Sequence, residues 1–464
     1  MEGNDMMEGR GRPERITPSS AKGQIQGWQP LQPHLVRVNA AARRSGQTRF
    51  TSLLHHVDVA ALARAYRRQR RGASPGIDHV TIACYEQNLE ANLQRLHEKV
   101  HAGHYWPKPV LRVNIPKPDG GQRPLGIPAL EDKILQSAVA EVLNAIYEAD
   151  FLGFSYGFRP GRSPQRALSS LERALMTQRV SWVLDVDIRQ FFDSVDHEWL
   201  MRMMAHRVGD RRVLRLIERW LKAGVLESGI WFATETGTPQ GSGISPLLAN
   251  CFLHYIFDLW IQHLRRRTRG QIIVCRYADD LVLGFERKDE AERLLAALKV
   301  RFAKFGLSLH EGKTRLVEFG RFAAQRRTAA GKRRPETFDF LGFTHYCSAT
   351  RSGKFMVKRK TQAIRLTRKL KALREEMRRR WHASRPQQHA WLCQVLRGHY
   401  QYYGVIFNSR SLYAFYEGVK RAWFQALGRQ SQKADMTWQR FHRLLEIFPL
   451  PKPTIHQAWH SVKV

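Results

Sequence analysis

The chain has 464 residues, of which 43% are hydrophobic and 10% aromatic, with 76 Lys and Arg against 41 Asp and Glu. This composition excludes a disordered polymer and allows roughly two to four packed domains at about 150 residues each. No apolar run reaches the roughly 20 residues that a bilayer span needs, and the N-terminal residues lack the apolar stretch of a secretory signal. We therefore expect no membrane association.

The charge of the chain predicts a polyanionic partner. The formal net charge is +35, and the sequence pI is about 10.6. Nucleic acid is the partner that best matches so large a positive field. A solvated basic surface and an anionic membrane surface are the alternatives, and the second is weaker because no basic amphipathic helix marks either terminus.

The cysteines indicate a reducing environment. Their number is five, they are widely spaced, and no CxxC pair occurs. This pattern argues against both a disulfide framework and a zinc site. We expect a protein of a reducing compartment such as the cytoplasm.

The first third of the chain passes from a leader to helices and then to a hairpin. Residues 1–48 are rich in Gly, Pro and Arg and predict a flexible basic leader. Residues 49–105 have helical periodicity, with a second helix near 81–101. Residues 109–128 predict two strands joined by a turn at Pro116–Gly121, and residues 129–150 predict another helix.

Two later segments predict buried strands. Residues 180–188 form an apolar run that carries Asp185 and Asp187, and residues 271–285 predict two short strands folded about Tyr277–Asp280. A helix is predicted over 288–305, and residues 321–334 predict a basic loop.

The last 114 residues, 351–464, hold 24 Lys and Arg against five Asp and Glu, and helices are predicted at 360–381 and 387–404. A helix can present basic side chains to successive phosphates, which favours RNA binding along this segment. The predicted RNA-binding residues are Lys358, Arg359, Lys360, Arg365, Arg368 and Lys369. The aromatic residues between them could stack on bases, but packing between helices is the favoured interpretation.

The adjacent residues Asp279 and Asp280 are candidates for a metal site. Two neighbouring carboxylates at a hairpin bend repel each other and need a cation nearby. Magnesium prefers such hard oxygen ligands and completes its shell with water and phosphate. An exposed turn is the alternative explanation for the pair on its own.

Asp187 strengthens the case for a metal site because it ends a second buried strand. If the two strands are neighbours, three carboxylates can hold two metal ions about 4 Å apart, the arrangement used for in-line phosphoryl transfer. Asp185 lies deeper on the same strand face and is expected to pack or to support the site. Asp193 and Asp196 are expected in a turn or a helix cap.

Seven sequence blocks follow one another along the chain: Ile115–Pro128, Gly157–Ser163, Asp187–Asp193, Gly237–Asn250, Arg276–Asp280, Leu307–Thr314 and Phe340–Phe343. In this order they resemble a reverse transcriptase of the group II intron-encoded type, and Arg397–Gly404 resembles the maturase domain of that family. The resemblance covers roughly residues 50–455, and ordered blocks are far more specific than one short motif.

The resemblance implies roles for particular residues. Asp187, Asp279 and Asp280 would be the catalytic carboxylates that bind two Mg²⁺ ions, with the carbonyl of Ile188 as a further ligand. Residues expected to contact the incoming nucleotide are Lys117 and Arg123 on its triphosphate, Phe192 beneath its sugar, Gln240 and Gly241 near the nascent base pair, and Lys313. Phe192 could equally be a core residue, and Lys313 could have a structural role.

The resemblance also implies the fold. We expect an α+β right-hand polymerase, with fingers and an antiparallel palm sheet, followed by a helical thumb. The expected divisions are a leader at 1–48, a helical fingers extension at 49–105, fingers and palm at 106–345, the thumb or maturase domain X at 358–450, and a short tail at 451–464.

The predicted function is RNA-directed DNA synthesis from a primer 3′-hydroxyl, with assistance to intron splicing. The expected partners are group II intron RNA or another structured RNA template, a DNA primer or target, and dNTPs. Without clustered cysteines or an HNH-like constellation, we expect no endonuclease domain. The alternatives are a splicing cofactor that uses the polymerase fold as a scaffold, and a domesticated enzyme serving phage defence.

Overall fold

The computed structural model describes residues 31–116, 121–227, 229–238, 241–429 and 436–456. The helices are α1 Pro33–Arg44, α2 Val59–Arg67, α3 Ile82–Glu86, α4 Leu89–His101, α5 Leu130–Asp150, α6 Pro164–Thr177, α7 His197–Ala205, α8 Arg211–Leu221, α9 Ser245–Leu253, α10 Leu259–Leu264, α11 Lys288–Lys304, α12 Ala323–Ala329, α13 Ala363–Arg379, α14 Arg385–Tyr403, α15 Ser409–Arg429 and α16 Trp438–Ile447. The strands are β1 Val110–Pro116, β2 Gln122–Ile127, β3 Trp182–Val186, β4 Val225–Glu227, β5 Ile230–Phe232, β6 Ile272–Tyr277, β7 Asp280–Phe285, β8 Arg315–Glu318, β9 Thr337–Phe340, β10 Phe343–Ala349 and β11 Phe355–Thr361. This mixture of antiparallel sheets and helices confirms the predicted α+β class with a helical C-terminal region.

The central sheet has the strand order β6-β7-β3-β8, and every pairing in it is antiparallel. Side chains alternate between two hydrophobic cores, as the period of two in a strand requires. Leu184 and Leu283 enter the core built with the N-terminal and central helices. Val183 and Val282 enter a second core, which includes α6 and the β9–β11 sheet. Both faces of this sheet are therefore covered, and only its strand ends can reach a substrate.

The predicted hairpin near residues 109–128 is confirmed as β1 paired with β2. It belongs to a second sheet of order β2-β1-β4-β5, in which β1 and β4 run parallel. Most of the predicted turn, including Lys117, lies outside the described residues.

Residues 33–44, which the sequence analysis placed in the flexible leader, form helix α1. This helix buries Leu35, Val38 and Ala42, and the Asn39 side chain donates a hydrogen bond of 2.8 Å to the backbone oxygen of Ala145 in α5. The expectation of flexibility is wrong here because an apolar face of α1 finds a partner. The first 30 residues of the predicted leader lie outside the described part of the chain.

The C-terminal region begins with a strand rather than a helix. Residues 358–360 belong to β11, which pairs antiparallel with β10, and helix α13 starts only at Ala363. The predicted helix at 360–381 therefore begins too early, because strand pairing with β10 overrides the local helical pattern. The predicted loop at 321–334 likewise contains a short helix, α12.

Helices α13 to α16 pack around a third hydrophobic core of their own, which includes Leu373, Leu396 and Trp423. Tyr400 is buried in this core, which confirms the packing interpretation for that aromatic residue. No helix among the described residues is both long and apolar enough to cross a bilayer.

Candidate active site

The central sheet brings Asp187 and Asp280 to the same end of neighbouring strands. Val186 of β3 pairs with Leu281 of β7, so the residues that follow and precede them, Asp187 and Asp280, are adjacent. Strands β6 and β7 form the predicted hairpin, in which Tyr277 pairs with Asp280 and residues 278–279 make the turn. The sequence left the pairing of these two segments as a condition for the metal site, and the pairing of β3 with β7 meets that condition.

The electrostatics of the site show a local excess of negative charge. Asp280 is open to solvent on one side. Partial burial, which removes water from its carboxyl, and then the negative charges of Asp279 and Asp187 raise the pKa of that carboxyl to about 7. Arg365 and Lys313 act in the opposite direction. A carboxylate in this position gains stability from any cation that binds beside it.

Asp187 is held from several directions. Lys313 Nζ lies 3.4 Å from Asp187 Oδ2, and the backbone nitrogen of His310 donates a hydrogen bond of 2.8 Å to the Asp187 backbone oxygen. Ile188 is buried, and its backbone forms an isolated antiparallel β-bridge with Leu309. The segment that contains Lys313 therefore fixes the backbone at the end of β3.

Arg276 anchors the turn that carries Asp279. Its guanidinium is fully buried and donates to Asp258 through Nε at 2.7 Å and through Nη2. Its Nη1 donates to the Asn250 side chain at 2.8 Å and to the Ala278 oxygen at 3.2 Å. Ala278 has a φ of +56°, a conformation that costs energy for any residue with a Cβ. The bond from Arg276 to Ala278 thus stabilises a strained residue beside the carboxylates.

Gly157 lies directly under the same turn. A Cβ atom at this position would lie 2.3 Å from the Ala278 nitrogen, so only glycine permits the close approach. The Asn250 side chain donates a hydrogen bond to the Gly157 oxygen at 2.7 Å. The backbone of Ser155 forms an isolated parallel β-bridge with the backbone of Arg276. Three segments that are distant in sequence therefore converge beneath the turn.

Two nearby acidic residues, Asp185 and Asp196, have structural positions of the kind that the sequence predicted. Asp185 pairs with Arg315 across β3 and β8, and burial raises the pKa of its carboxyl to about 7. Asp196 caps helix α7 by accepting a hydrogen bond of 2.8 Å from the Trp199 nitrogen.

The donor set fits magnesium in its chemistry, because Asp187, Asp279 and Asp280 offer hard carboxylate oxygens. Within the described ranges, no three Asp, Glu, His or Cys side chains already stand in an arrangement that could enclose a metal ion.

The predicted nucleotide-binding residues have different surroundings. Phe192 is half-buried and packs edge-on against Phe191 at 5.4 Å, so it has both an apolar contact and an open side. Arg123 lies in β2, opposite Ile115. Lys117 and Gln240 lie outside the described residues.

The backbone at Gly241 requires glycine. Its φ is +113°, and a Cβ there would lie 2.4 Å from the Gly126 oxygen and 3.1 Å from Leu125 Cδ1. The crowding that glycine avoids is thus with the β1–β2 hairpin, which this loop contacts directly.

The prediction that Arg359 binds RNA is wrong. This residue is 2% exposed and forms an ion pair of 2.7 Å with Glu172 of α6, so its charge is used inside the protein. Its neighbour Lys360 is exposed and Lys358 is half-exposed, because alternate residues of β11 face opposite sides. Residues that remain accessible on α13 are Arg365, Arg368 and Lys369.

Sequence reasoning gave Asp258, Asn250 and Gly157 no role in this site, although Gly157 and Asn250 lie in two of the motif blocks. The available signal was Arg276, a charged residue inside the apolar run QIIVCRYADD. A buried guanidinium requires a carboxylate and further acceptors. Nothing in the local pattern indicates which residues supply them.

Comparisons with known proteins agree with this geometry. A family model described as reverse transcriptase (RNA-dependent DNA polymerase) matches residues 115–345. Protein YkfC of Escherichia coli K12 is 35% identical over 254 residues, which cover 48% of this chain and 67% of YkfC.

Several relatives are named for introns. The group II intron-encoded protein LtrA of Lactococcus lactis is 34% identical over 244 residues, covering 51% of this chain and 40% of LtrA. Nuclear intron maturase 1 of Arabidopsis thaliana is 32% identical over 95 residues, covering 20% of this chain and 13% of that protein. The alignments thus span less than half the length of either, and the predicted resemblance to group II intron-encoded proteins is confirmed. The chain belongs to the reverse transcriptase family.

Proposed function

We propose that the protein is an RNA-directed DNA polymerase of the group II intron type, which extends a primer 3′-hydroxyl on an RNA template. The observation that carries the proposal is the adjacency of Asp187 and Asp280 at the ends of paired strands, with Asp279 in the neighbouring turn. The surrounding charge supports it, since the pKa of Asp280 is raised by its two acidic neighbours as well as by the protein around it.

The mechanism assigns a part to each region of the site. Asp187, Asp279 and Asp280, with the carbonyl of Ile188, would hold two Mg²⁺ ions. When bound, these ions lower the pKa of the attacking hydroxyl and offset charge on the leaving pyrophosphate. Phe192 and the loop containing Gly241 would border the nucleotide, and Lys117 and Arg123 would neutralise its triphosphate. Arg276 would keep the turn in the position that the carboxylates need.

Primer extension by site variants tests the proposal. Asp279→Ala should abolish dNTP incorporation on a primed RNA template and leave RNA binding nearly unchanged, because one lost carboxylate removes cation binding but no phosphate contact. Asp289→Ala, at an exposed residue of α11 that pairs with Arg287 and Arg293, is the control and should retain synthesis. Synthesis that survives in Asp279→Ala would contradict the site assignment.

We propose assistance to intron splicing as a second function. It is supported by the accessible basic side chains of α13 and by the similarity to LtrA and to an intron maturase. In this role the polymerase fold would bind folded intron RNA, and synthesis would not be required. Splicing of a group II intron in vitro that persists with Asp279→Ala would separate the two functions, whereas no effect of the protein on any such intron would contradict the second one.

The proposed setting is the bacterial cytoplasm, with intron RNA, a DNA primer or target, and dNTPs as partners. The charge of +35 supports nucleic acid as the principal partner. Domesticated service in phage defence is an alternative setting for the same chemistry.

A further inference from the structure

Helix α12 and the residues that flank it form a basic surface that the candidate active site does not use. Residues 321–334 contain six Lys and Arg and no Asp or Glu. Two of the six, Arg326 and Arg327, form ion pairs with Glu318 of β8 and Glu336 before β9. The other four are exposed, and among the described residues none has a carboxylate within ion-pair distance. We call these four the α12 surface: Arg321, Lys332, Arg333 and Arg334.

The two paired arginines hold α12 against the central sheet. Arg326 Nε lies 2.7 Å from Glu318 Oε1, and the same guanidinium lies over the Trp182 ring, 5.8 Å from its centroid. Arg327 Nη1 lies 3.3 Å from Glu336 Oε1, and the Glu318 nitrogen donates a hydrogen bond of 2.7 Å to Glu336. The charges of Arg326 and Arg327 are therefore used within the protein, whereas those of the α12 surface are left for another partner.

The α12 surface lies at the end of the central sheet that is remote from the candidate active site. Glu318, the last residue of β8, pairs with Trp182, the first residue of β3, whereas Asp187 follows the end of β3. Trp182 and Asp187 are separated by about 17 Å, at roughly 3.3 Å per residue of an extended strand. Because α12 packs on Trp182, its cations are too distant to contact a nucleotide held at the carboxylates.

The tip of the β10–β11 hairpin adds two further cations beside this surface. Gly320, which precedes Arg321, donates a backbone hydrogen bond of 3.4 Å to Cys347 Sγ in β10. The hairpin turn begins three residues after Cys347, and its Arg351 and Lys354 are exposed. The basic character therefore continues from the start of α12 onto a neighbouring element that is separate in sequence.

The composition of the α12 surface favours the phosphates of double-stranded RNA. Phe322, which is 54% exposed, is the one large apolar side chain within residues 321–334, all of which the structure describes. A protein partner would need a larger apolar centre, and an anionic membrane would need an apolar anchor beside the charges. Single-stranded nucleic acid is bound on several aromatic side chains, whereas double-stranded RNA is recognised through its shape and its phosphates.

We infer that the α12 surface binds the phosphate backbone of a double-stranded RNA stem, as an anchoring site separate from the polymerase site. The inference deepens the proposed function in splicing, since it rests on RNA as the partner, and it does not require DNA synthesis. Arg321 precedes α12 and Lys332 follows it, and the seven residues of the helix span about 10 Å. Cations at the two ends therefore contact different phosphates, and each arginine can hold a phosphate with two parallel hydrogen bonds.

Salt-dependent binding of a closed RNA stem tests this site. The probe is a hairpin with a stem of about 16 base pairs, the span of a typical double-stranded RNA contact, and a blocked 3′ end. Equilibrium affinity is measured at several salt concentrations with the full chain as wild type, Arg333→Gln/Arg334→Gln and Arg321→Gln/Lys332→Gln. Arg211→Gln/Arg215→Gln is the matched control, because it removes two exposed arginines of α8, a helix that packs on a different hydrophobic core.

Each α12 variant should bind the stem about tenfold more weakly, and its slope of log affinity against log salt should fall by roughly 1.4–1.8 for two lost contacts. The control should keep the wild-type slope, and Arg333→Lys/Arg334→Lys should restore it because both charges are retained. An unchanged slope in the α12 variants, or an equal fall in the control, would overturn the inference. So would a loss that is larger for single-stranded RNA of the same length, or one that is seen only with phosphatidylserine vesicles.

Failure of the proposed functions gives different patterns. The α12 variants should extend a short primed template as fast as wild type, and their exposed substitutions should leave the unfolding midpoint unchanged. Extension by the wild type without any effect of the α12 variants on stem binding would retain the polymerase and eliminate the anchoring site. Stem binding that depends on the α12 surface in a protein that neither incorporates dNTPs nor assists splicing would support the anchoring site and contradict the proposed functions.

Discussion

Arg276 and Asp258 form a bidentate ion pair in which neither side chain is exposed to solvent, with 2.7 Å between Arg276 Nε and Asp258 Oδ1. Burial alone would raise the pKa of Asp258, but the charge and the hydrogen bonds of Arg276, together with the nearby His254, outweigh it, so the pKa is lowered. Asp258 belongs to a π-helical segment, His254–Asp258, between α9 and α10. The turn that carries Asp279 is therefore attached to the helical layer behind the sheet.

Asp258→Asn should destabilise the fold strongly because it leaves the Arg276 charge buried and unpaired. Removing one partner of a buried pair typically costs about 3–5 kcal/mol. A lowered midpoint of thermal unfolding would show this. Glu198→Gln removes an exposed partner of Arg202 and should shift the midpoint little. Equal shifts in the two variants would show that the buried pair contributes no more to the stability of the fold than an exposed pair does.

Gly157→Ala should impair synthesis more than RNA binding. The added methyl group would lie 2.3 Å from the Ala278 nitrogen and must displace the turn that carries Asp279. A displacement of about 1 Å at a reacting centre can reduce the rate roughly 100-fold. Single-turnover primer extension beside RNA binding measures the effect. Gly153→Ala is the matched control, since a Cβ there meets no atom within 4 Å, and unchanged extension in Gly157→Ala would contradict the role given to the close approach.

Arg359→Met and Lys360→Met should have opposite consequences. Arg359 is buried against Glu172, so its loss should lower the unfolding midpoint without changing the salt dependence of RNA binding. Lys360 is exposed, and removing one phosphate contact should reduce the slope of log affinity against log salt by roughly 0.7–0.9. A reduced slope in Arg359→Met would support RNA binding by that residue after all.

His345 should make the fold sensitive to acid. Burial and then the Arg359 charge lower the pKa of its imidazole from 6.5 to about 3, and the ring stacks on Phe338 at 4.8 Å. The unfolded chain therefore binds this proton more readily, so the contribution to stability is present above pH 6.5 and is lost as the pH falls toward 3.

His345→Phe should reduce this dependence by at most about 1.4 kcal/mol per pH unit. The stability of wild type and variant is measured by unfolding at several values between about pH 7 and 4. The difference between the two profiles isolates His345, because His56 and His399 also have lowered pKa values and contribute to the pH dependence of both proteins. His382→Phe changes an exposed histidine and serves as the control. Parallel pH profiles for wild type and His345→Phe would refute the prediction.

Local sequence pattern predicts several parts of the site correctly. The hairpin of β6 and β7 follows from two apolar runs on either side of Tyr277–Asp280, and α5 follows from apolar residues at helical spacing. The adjacency of Asp187 and Asp280 is predicted on the condition that their strands are neighbours, and the pairing of β3 with β7 confirms it. The order of the motifs along the chain is enough to indicate the family.

Other features cannot be predicted from local pattern because they depend on which faces become buried. Lys358, Arg359 and Lys360 have the same charge in the sequence, but β11 turns only the middle one toward Glu172. Helix α1 resembles part of a flexible leader in the sequence, because its apolar face has meaning only once α5 lies against it.

The sequence alone determined the class of fold, the strongly basic character and the identity of the acidic residues, since composition, periodicity and motif order are properties of the chain itself. The tertiary structure decided that Asp258, Asn250 and Gly157 support the turn that carries Asp279, and that Arg359 is buried against Glu172 while Lys360 remains exposed. The physical reason is that a charge buried in a protein needs partners, and long-range packing, rather than position in the sequence, selects them.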